Sequence, residues 1–277
     1  MNRDNDVLLP VAEVFLSIQG EGCRTGHPSI FIRTIGCNLC CSFRNPDGKA
    51  TLCDTAYASI TPEKAQYNTV QETVDAVNSI LREHNNVRDI VITGGQPTIH
   101  WSGVKELIRE LKLRLPTLYV TMETNGTLPH NRNRHDLDAL GVDLWSISPK
   151  LGSSCFFKGT NIPTVRQEQH KKLRINFSQL NEYLYTKGDK QWKFVWTGEE
   201  CVEEILEIFN QMESLSMDHG VFREFMNRCP VMLMPEGQTD EEIRKSTTPE
   251  MLEACYKYNW IYCDRVHIHL WGDKRGV

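Results

Sequence analysis

The sequence predicts an α/β protein with a parallel sheet curled into a partial or complete barrel. Short β-forming stretches alternate with stretches of helical periodicity along most of the 277 residues. Most of the predicted strands end in polar turns that contain Gly, Pro or Asn, and function in barrels of this type lies at the carboxyl ends of the strands. The phosphate-binding patterns Gly-x4-Gly-Lys-Ser/Thr and Gly-x-Gly-x-x-Gly are both missing from the sequence, so a nucleotide triphosphatase or a Rossmann dehydrogenase has no support.

Length and composition are those of an ordinary soluble protein that forms one domain. Hydrophobic residues make up 40% and charged residues 24% of the chain, and the formal net charge of −5 gives no electrostatic reason to expect nucleic-acid binding by the whole molecule. No apolar run reaches membrane-spanning length, and Met1–Pro10 is too polar and acidic for a signal peptide. We therefore expect a cytoplasmic protein that does not enter a membrane.

The first half of the chain supplies five predicted strands and two predicted helices. The strand stretches are rich in β-forming residues, and the one that begins at Asp89 is a continuous apolar run, typical of a strand buried on both faces. Thr69 followed by Glu72 predicts a capping box at the start of the first helix. The predicted strands are Val11–Ile18, Ser29–Ile35, Asp89–Ile92, Leu118–Met122 and Asp143–Ile147, and the predicted helices are Thr69–His84 and Ser102–Leu115.

The alternation of predicted strands and helices is interrupted between Leu151 and Lys190 and then resumes. We interpret residues 151–190 as an insertion, either solvated or a lid over the site, with a helix near Asn176–Tyr183. Between Cys155 and Lys190 the segment holds seven Lys or Arg against three Asp or Glu, so contact with nucleic acid is the alternative. Beyond this segment, strands are predicted at Trp192–Trp196, Val231–Met234 and Val266–Leu270, and helices at Glu199–Leu215 and Thr239–Tyr256, the second of them interrupted at Thr248-Pro249.

Four of the ten cysteines fall within the twenty-one residues 35–55. Such density in one loop indicates a metal or iron–sulfur site more than a disulfide framework. Three thiolates, from Cys37, Cys41 and Cys53, would hold a 4Fe–4S cluster and leave one iron open to a ligand. The alternative is a structural zinc site built from Cys37, Cys40, Cys53 and a histidine. The other six cysteines are scattered along the chain, and we interpret them as free thiols.

Eleven residues separate Cys41 from Cys53, and nine of them are residues 44–52. They contain Asn45-Pro46-Asp47-Gly48, which is strong turn chemistry. We therefore interpret residues 44–52 as an inserted loop that leaves the site and returns to it without disturbing its flanks.

Arg33 and a glycine-containing turn close to it in the sequence are further candidate contacts for a ligand. Arg33 interrupts an apolar strand, and a buried arginine needs an anionic partner, which is either a structural carboxylate or the carboxylate of a ligand. The turn Gln19-Gly20-Glu21-Gly22 ends the first strand, and its glycines let the backbone approach a ligand closely. A plain hairpin turn is the alternative for that stretch.

These motifs, taken together and in order, resemble a known family. The loop Gly-Cys-Asn-Leu-x-Cys, a third cysteine followed by Asp-Thr, and the Gly-Gly-x-Pro turn look like the radical S-adenosylmethionine (SAM) superfamily. Within it, the flanking motifs resemble the 7-carboxy-7-deazaguanine synthase family from about residue 11 to the C-terminus. Those motifs are Ser17-Ile-Gln-Gly-Glu-Gly22, the spacing from Gln19 to Arg33, Cys53-Asp-Thr55, Ser148-Pro-Lys150 and Leu270-Trp-Gly-Asp-Lys-Arg-Gly-Val277.

The resemblance implies a partial (β/α) barrel of the radical SAM type in a single domain. It implies a 4Fe–4S cluster on Cys37, Cys41 and Cys53, with Cys40 as a bystander. The implied positions for SAM fall on Leu52, Asp54, Gly95, Gln96, Ser148, Pro149, Lys150, Met234, Pro235, Glu236 and Gly237. The implied substrate positions fall on Ile18, Gln19, Gly20, Arg33 and Thr93, and Thr55 matches a ligand of magnesium (Mg2+).

The implied reaction converts 6-carboxy-5,6,7,8-tetrahydropterin into 7-carboxy-7-deazaguanine with loss of ammonia, a step of 7-deazaguanine biosynthesis of the queuosine type. The implied partners are the small-molecule pterin substrate, a reductase such as flavodoxin or ferredoxin, and a second copy of the chain in a homodimer. Gln96 stands where the family usually has glutamate, so its amide oxygen would accept from the cofactor without charge assistance. The alternatives are another radical SAM enzyme, such as a glycyl-radical activase, and a zinc-stabilised binding module that uses the basic segment 155–190.

Overall fold

The computed structural model describes residues 7–45, 47–128, 132–272 and 274–277; Pro46 of the predicted turn and Asp273 of the C-terminal motif lie outside them. The strands are β1 Leu8–Ile18, β2 Pro28–Thr34, β3 Ser42–Arg44, β4 Ala50–Leu52, β5 Tyr67–Thr69, β6 Asp89–Gly94, β7 Tyr119–Thr124, β8 Leu144–Ile147, β9 Asp189–Trp196, β10 Val231–Pro235 and β11 Ile261–Tyr262. The α-helices are α1 Ala56–Ser59, α2 Val70–Glu83, α3 Trp101–Arg114, α4 Arg134–Asp138, α5 Thr164–Leu173, α6 Phe177–Leu184, α7 Glu200–Ser214, α8 His219–Arg228, α9 Asp240–Ser246, α10 Pro249–Tyr258 and α11 Val266–Trp271.

Nine of these strands form one sheet in the order β11-β10-β9-β8-β7-β6-β2-β1-β5. The seven strands from β11 to β2 run parallel, and β1 and β5 add an antiparallel edge. Because parallel neighbours are joined through helices, their carboxyl ends all meet at one rim. The strand order is linear, with β11 and β5 at its two edges, so the barrel is partial. The predicted α/β fold class is confirmed.

The central parallel strands are buried almost completely, as expected where both faces of a sheet are covered. All four residues of β8 and all five of β10 are buried. Large aromatic side chains fill the core around them, among them Trp145, Trp192 and Trp196, none of which is more than 1% exposed. Burial of each such side chain contributes roughly 1.5–3 kcal/mol or more, which holds the rim of the sheet in place.

Two local predictions are confirmed in the helices. The Thr69 side chain accepts from the backbone N of Glu72 at 3.2 Å, and Glu72 accepts in return from the backbone N of Thr69 at 3.1 Å, which completes the capping box. The long helix predicted at Thr239–Tyr256 is interrupted where expected, because Pro249 begins the new helix α10 after α9 has ended at Ser246.

The prediction of a strand at Val266–Leu270 is wrong, because this stretch forms α11. A run of five residues contains too little periodicity to separate a strand from a helix. Ile268 is the one residue of this run that is buried, as expected for a short helix with one face against the protein. The sequence also gave no signal for α8 or for the short strands β3, β4 and β5. Within the described residues, no helix is long and apolar enough to cross a membrane.

The segment 151–190 is folded and packs against the body of the protein. It forms α5 and α6, and Asn176 caps α6 by accepting from the backbone N of Gln179 at 3.2 Å. The helix predicted near Asn176–Tyr183 is therefore confirmed. Leu180 and Leu184 are fully buried in the main core, so α6 is part of the structural body, whereas α5 lies against the cysteine loop.

Candidate active site

A cavity of about 300 Å³ opens at the carboxyl ends of the parallel strands. The loop after β2 and the turns after β6, β7, β8 and β10 form its wall, together with residues around α11. All but two of the site residues that the resemblance implies line this one space, and the two that do not are Gln96 and Pro149. Polar turns that are far apart in the sequence are thus brought together at the rim of the sheet.

Three of the four cysteines in the loop after β2 face this cavity. Cys37, Cys41 and Cys53 line it. The backbone N of Cys53 donates to the carbonyl oxygen of Cys41 at 3.1 Å, so these two positions are adjacent in space. Cys40 points the other way: it is 1% exposed, and its thiol contacts the carbonyl oxygen of Arg166 at 3.4 Å.

The hairpin formed by β3 and β4 explains how the second and third of these cysteines meet. Ser42 pairs with Leu52, Phe43 with Thr51, and Arg44 with Ala50 in antiparallel register. The residues between Cys41 and Cys53 therefore leave the site along one strand and return along the next. The pairing agrees with an inserted loop at residues 44–52, which stays a prediction.

The environment of the three cavity thiols suits an iron–sulfur group. Burial raises the pKa of Cys37 and Cys41, and it raises the pKa of Cys53 to about 11. Polar groups nevertheless lie beside two of the sulfurs: the backbone N of Leu39 donates to the Cys37 Sγ at 3.4 Å, and the Thr55 hydroxyl lies 3.3 Å from the Cys53 Sγ, where either atom can be the donor. Hydrogen bonds of this type stabilise thiolates bound to iron. The thiols therefore need a positive partner to ionise, and the polar groups beside the sulfurs would stabilise the thiolates that form.

His170 of α5 fixes the backbone between the first two cavity cysteines. The backbone N of Cys40 donates to its Nδ1 at 3.1 Å. Its Nε2 lies 3.0 Å from the hydroxyl oxygen of Ser154, whose own proton goes to the carbonyl oxygen of Leu151 at 2.6 Å. This network assigns the proton to Nε2 and leaves the imidazole neutral. Burial lowers the pKa of His170 to about 4, consistent with that assignment.

The Gly-Gly turn after β6 packs directly against the start of the cysteine loop. A Cβ atom on Gly94 would lie 2.2 Å from the carbonyl oxygen of Thr34, and one on Gly95 would lie 2.0 Å from that of Gly36. Gly94 also has a φ of 126°, which other residues rarely adopt. Both glycines are therefore required by backbone packing, whatever ligand the turn contacts.

Gln96 and Pro149 are buried and are not among the residues that line the cavity, so a contact between either of them and a ligand stays a prediction. Gln96 is fully buried, and its amide nitrogen donates to the hydroxyls of Thr98 at 2.6 Å and Thr124 at 2.7 Å. Its amide oxygen accepts from the backbone N of Asn125 at 2.8 Å. All of these bonds stay within the protein, so Gln96 joins the turns after β6 and β7.

A second part of the wall carries alternating charges, and we call it the charged wall: Glu21, Asp54, Glu123, Lys193 and Arg265. Arg265 donates to Glu21 at 3.0 Å and to Asp54 at 2.5 Å. Lys193 forms an ion pair with Glu21 and lies 3.9 Å from Glu123. The side chains of Lys193 and Arg265 are each 7% exposed, so both cations need these carboxylates.

Electrostatics keep the centre of the charged wall ionised. Burial works to raise the pKa of Glu21, but the charges of Lys193 and Arg265 outweigh it and hold that pKa far below its usual range. Burial likewise works to lower the pKa of Lys193, and Glu21 with Glu123 raises it instead. Charge of both signs is therefore fixed at the cavity in the ligand-free protein.

Glu236, in the turn after β10, is the one carboxyl among the described residues of the cavity whose pKa is raised. It is 7% exposed, and its Oε2 atom has no hydrogen-bond partner within the described part of the chain. Burial, reinforced by the negative charges of Glu242 and Asp54, raises its pKa to about 7. An unpartnered buried oxygen at a cavity is a ready acceptor for a hydrogen-bond donor on a ligand.

Arg33 is held by a structural carboxylate on one edge of its guanidinium. Its Nε donates to Glu13 at 2.7 Å, and Glu13 also accepts from the hydroxyl of Tyr57 at 2.6 Å. The guanidinium lines the cavity and lies 5.8 Å from the ring centre of Phe15. Of the two anionic partners that the sequence allowed, the structural one is present, and it orients Arg33 toward the cavity.

Comparison with known proteins gives the same family from sequence and from fold. The Radical SAM superfamily matches residues 31–156. The chain is 32% identical to the 7-carboxy-7-deazaguanine synthase of Halobacterium salinarum, over 98% of this chain and 94% of that protein. It is 31% identical to the 7-carboxy-7-deazaguanine synthase of Rhodopirellula baltica, over 99% of this chain and 91% of that protein. The crystal structure of QueE from Escherichia coli aligns over 93% of both chains with a TM-score of 0.54 and 20% identity, which is a likeness of fold.

The chain belongs to the 7-carboxy-7-deazaguanine synthase family of the radical SAM superfamily. Family membership does not favour a glycyl-radical activase, since the relatives that match over nearly the whole chain are deazaguanine synthases. The geometry also opposes the zinc alternative. Cys40, which that site would need, contacts the carbonyl oxygen of Arg166 and is not among the residues that line the cavity with Cys37 and Cys53.

For this family member, sequence reasoning missed part of the cavity wall. Glu123, Lys193, Arg265 and His267 line the cavity but were not among the predicted contacts, and Glu21 was noted only as part of a turn. Lys193 left a signal, because a lysine inside the apolar strand Trp192–Trp196 needs an anionic partner, by the same argument that identified Arg33. The sequence contains no comparable signal for Arg265, because this residue precedes Val266–Leu270, for which the sequence predicts a strand.

Proposed function

We propose that this chain is a radical SAM lyase that converts 6-carboxy-5,6,7,8-tetrahydropterin into 7-carboxy-7-deazaguanine with release of ammonia. One observation carries the proposal: the thiols of Cys37, Cys41 and Cys53 line a single cavity in a chain that matches a deazaguanine synthase over 98% of its length. When bound, the cluster and SAM supply the radical that takes a hydrogen atom from the substrate. The protein holds both, orients the substrate and excludes water from the reacting atoms.

The three cavity thiols would hold a 4Fe–4S cluster with one iron left open for the amino and carboxylate groups of SAM. The fit rests on their shared cavity, on the hydrogen bond from the backbone N of Leu39 to the Cys37 sulfur, and on the Thr55 hydroxyl beside the Cys53 sulfur. Cys40 would take no part. The proposed contacts for the rest of SAM are on the cavity wall at Leu52, Asp54, Gly95, Ser148, Lys150, Met234, Pro235, Glu236 and Gly237.

The substrate would lie between the ends of β1, β2 and β6. Its proposed contacts there are Ile18, Gln19, Gly20, Arg33 and Thr93. Arg33 is bonded to Glu13 through Nε and lines the cavity, so its terminal nitrogens would bind a second carboxylate, that of the pterin. Mg2+ would bind the Thr55 hydroxyl together with oxygen atoms of the substrate, since a hard cation prefers oxygen ligands.

The partners follow from this chemistry. A radical SAM enzyme needs one electron per activation of its cofactor, so we propose a small reductase protein of the flavodoxin or ferredoxin kind. A homodimer and a cytoplasmic location belong to the same proposal. They are tested by the mass of the protein in solution and by fractionation of cells.

The experiment is anaerobic reconstitution with iron and sulfide, followed by reaction of 6-carboxy-5,6,7,8-tetrahydropterin with SAM and dithionite. We expect 5′-deoxyadenosine and 7-carboxy-7-deazaguanine to form together. Formation of 5′-deoxyadenosine without the deazaguanine would keep the radical chemistry and reject the substrate. Zinc bound in place of iron would reject the proposal as a whole.

A further inference from the structure

A second cavity, of about 670 Å³, opens at the same rim of the sheet, and we call it the outer cavity. Its wall comes from the β3–β4 hairpin, the turns that follow β8, β9 and β10, and the junction of α9 with α10. Among the described residues, Glu236 is the only one that lines both this space and the cavity with the cysteines. The carboxyl ends of parallel strands are where such proteins bind ligands, and the volume suits a small molecule.

Two polar side chains of the outer cavity lack hydrogen-bond partners. The Oγ atom of Ser153 and the Oε2 atom of Glu236 are buried, and neither has a partner within the described part of the chain. The Glu236 residue as a whole is 7% exposed. Leaving buried polar atoms unpaired costs free energy, so a ligand that donates hydrogen bonds would be stabilised here. A carboxylate has about four acceptor positions, so Glu236 can serve the proposed SAM contact and a second ligand as well.

The solvent side of the outer cavity carries charges of both signs. Arg44 of β3 is exposed and has no acidic partner among the described residues. Lys245 lies 3.9 Å from Asp47, and both line the cavity together with Glu200. Arg44 is therefore the cation that is left to bind an acid group on a ligand.

The outer cavity also offers flat apolar surface. The rings of Phe156 and Trp196 line it, and the Arg44 guanidinium lies 5.8 Å from the ring centre of Phe156. Aromatic side chains of this kind pack well against planar rings. The ligand that fits has a flat ring, hydrogen-bond donors on one edge and an acid group.

We propose that the outer cavity binds a compound that contains a 2-amino-4-oxopyrimidine ring and an acid group. In that ring an N–H and an amino group lie side by side, so the carboxylate of Glu236 accepts from both at once, and Arg44 binds the acid group. Guanine nucleotides belong to this class, and so do the pterin and the deazaguanine of the proposed function. The chemistry of the cavity is argued from its own residues, and only the choice of the last two compounds rests on the proposed function.

The test is a calorimetric titration of reconstituted protein saturated with SAM, in an Arg33→Ala background that weakens the proposed substrate site. The probes are guanosine 5′-monophosphate, 7-carboxy-7-deazaguanine and 6-carboxypterin, an oxidised form of the substrate that has no hydrogen at C6. Adenosine 5′-monophosphate is the matched negative probe, because it combines a planar ring and an acid group without the two adjacent donors.

We expect at least one of the three probes to bind once per chain, and adenosine 5′-monophosphate to bind it at least about tenfold more weakly. Arg44→Ala should weaken the binding of that probe about tenfold. Glu236→Gln should weaken it further, because the amide turns an N–H group toward the donors of the ligand. The matched control, Arg82→Ala, removes an exposed arginine of α2 that has no acidic partner among the described residues, and it should stay within about twofold.

The ranking of the three probes identifies whether a nucleotide, the product or the substrate is the ligand. Absence of binding by all three would overturn the proposal, and so would equal affinity for adenosine 5′-monophosphate or equal losses in the Arg44 and Arg82 variants. Binding that is seen only with Arg33 in place would assign the probes to the substrate site and overturn it too. None of these measurements needs turnover, so failure to form 7-carboxy-7-deazaguanine with dithionite would reject the proposed function alone.

Discussion

The two parts of the cavity wall differ in how complete they are without ligands. The cysteine part presents Cys37, Cys41 and Cys53, whose thiols burial keeps protonated until a positive partner arrives. The charged wall already contains cations and anions in contact, with Arg265 between Glu21 and Asp54. Changes in the first part should therefore alter what the protein binds, and changes in the second should alter how stably it is folded.

The largest effect is expected in the cysteine part. Replacing any one of Cys37, Cys41 or Cys53 by Ser removes a thiolate that we assign to the cluster, so most of the iron and all turnover should be lost. Cys40→Ser is the matched control: its side chain faces the Arg166 carbonyl, and iron content should stay at the wild-type level. Iron and sulfide analysis after anaerobic reconstitution measures how much cluster each of these variants holds. Loss of iron in the Cys40 variant, or its retention in the Cys53 variant, would assign the ligands differently.

Arg265→Met should give the largest loss of stability. It leaves Glu21 and Asp54 without the cation that they share, and breaking a buried ion pair on one side costs about 3 kcal/mol. The midpoint of thermal unfolding should fall by roughly 5–10 °C. Arg265→Lys keeps the charge and should recover part of this loss.

The control for this prediction is Arg244→Met. Arg244 also pairs with a carboxylate, that of Asp240 at 2.6 Å, but its side chain is 74% exposed. Its removal should leave the unfolding midpoint unchanged, because exposed ion pairs contribute little. Similar midpoints for the Arg265 and Arg244 variants would show that the charged wall is not a source of stability.

Arg33→Ala should lower the activity rather than the stability. Glu13 keeps its bond from Tyr57, so the fold loses one ion pair and no carboxylate is left without a donor. Losing the proposed contact with the substrate carboxylate should reduce kcat/KM about 100-fold, equivalent to about 2.7 kcal/mol, while iron content is retained. Glu13→Gln leaves the arginine in place and should have a smaller effect. Unchanged turnover in Arg33→Ala would remove Arg33 from the substrate site.

Glu236 should make the free energy of unfolding depend on pH, in the range between the pKa of its carboxyl in the unfolded chain and the pKa in the folded protein. Its pKa is about 7 in the folded protein against 4.5 for an ordinary glutamate. Folding therefore favours the protonated form, and the free energy of unfolding should fall by up to about 1.4 kcal/mol per pH unit as the pH rises from about 4.5 to about 7. Glu236→Gln cannot ionise and lacks this decline.

The difference in unfolding free energy between wild type and Glu236→Gln is the quantity to measure. The buried neutral imidazoles of His170 and His267 act in the opposite sense, because their pKa values are lowered and they lose stability as the pH falls. The two histidines affect the wild type and Glu236→Gln equally, so their contributions cancel in the difference between the two unfolding free energies. A difference that stays constant from about pH 5 to 7 would mean that Glu236 has an ordinary pKa.

Local patterns account for what the sequence predicted well. The cysteine spacing and the turn residues around Asp47 lie within twenty residues of one another, and they sufficed to predict both the group of thiols and the excursion between them. Thr69 and Glu72 predicted a capping box for the same reason. In each case the interacting residues are neighbours in the chain, so their types and spacing determine the geometry.

The charged wall could not be predicted in this way because its contacts are distant in sequence. Arg265 and Glu21 are 244 residues apart, and Lys193 and Glu21 are 172 apart. No spacing rule connects such positions, and the helix that follows Arg265 was assigned to a strand. The hydrogen bonds of Gln96 could not be predicted either: the resemblance gives its position in a turn, but the direction of its side chain depends on Thr98, Thr124 and Asn125.

The smallest effect is expected for Gln96→Glu, which restores the residue usual in the family. Because Gln96 lies beneath the cavity, the charge would meet Thr98, Thr124 and the backbone N of Asn125, all of which can donate to a carboxylate. The affinity for SAM, measured by calorimetry on reconstituted protein, should stay within about threefold of the wild type, or about 0.6 kcal/mol. A tenfold tightening would instead mean that position 96 reaches the cofactor, and a tenfold loss would mean that the turns after β6 and β7 depend on the neutral amide.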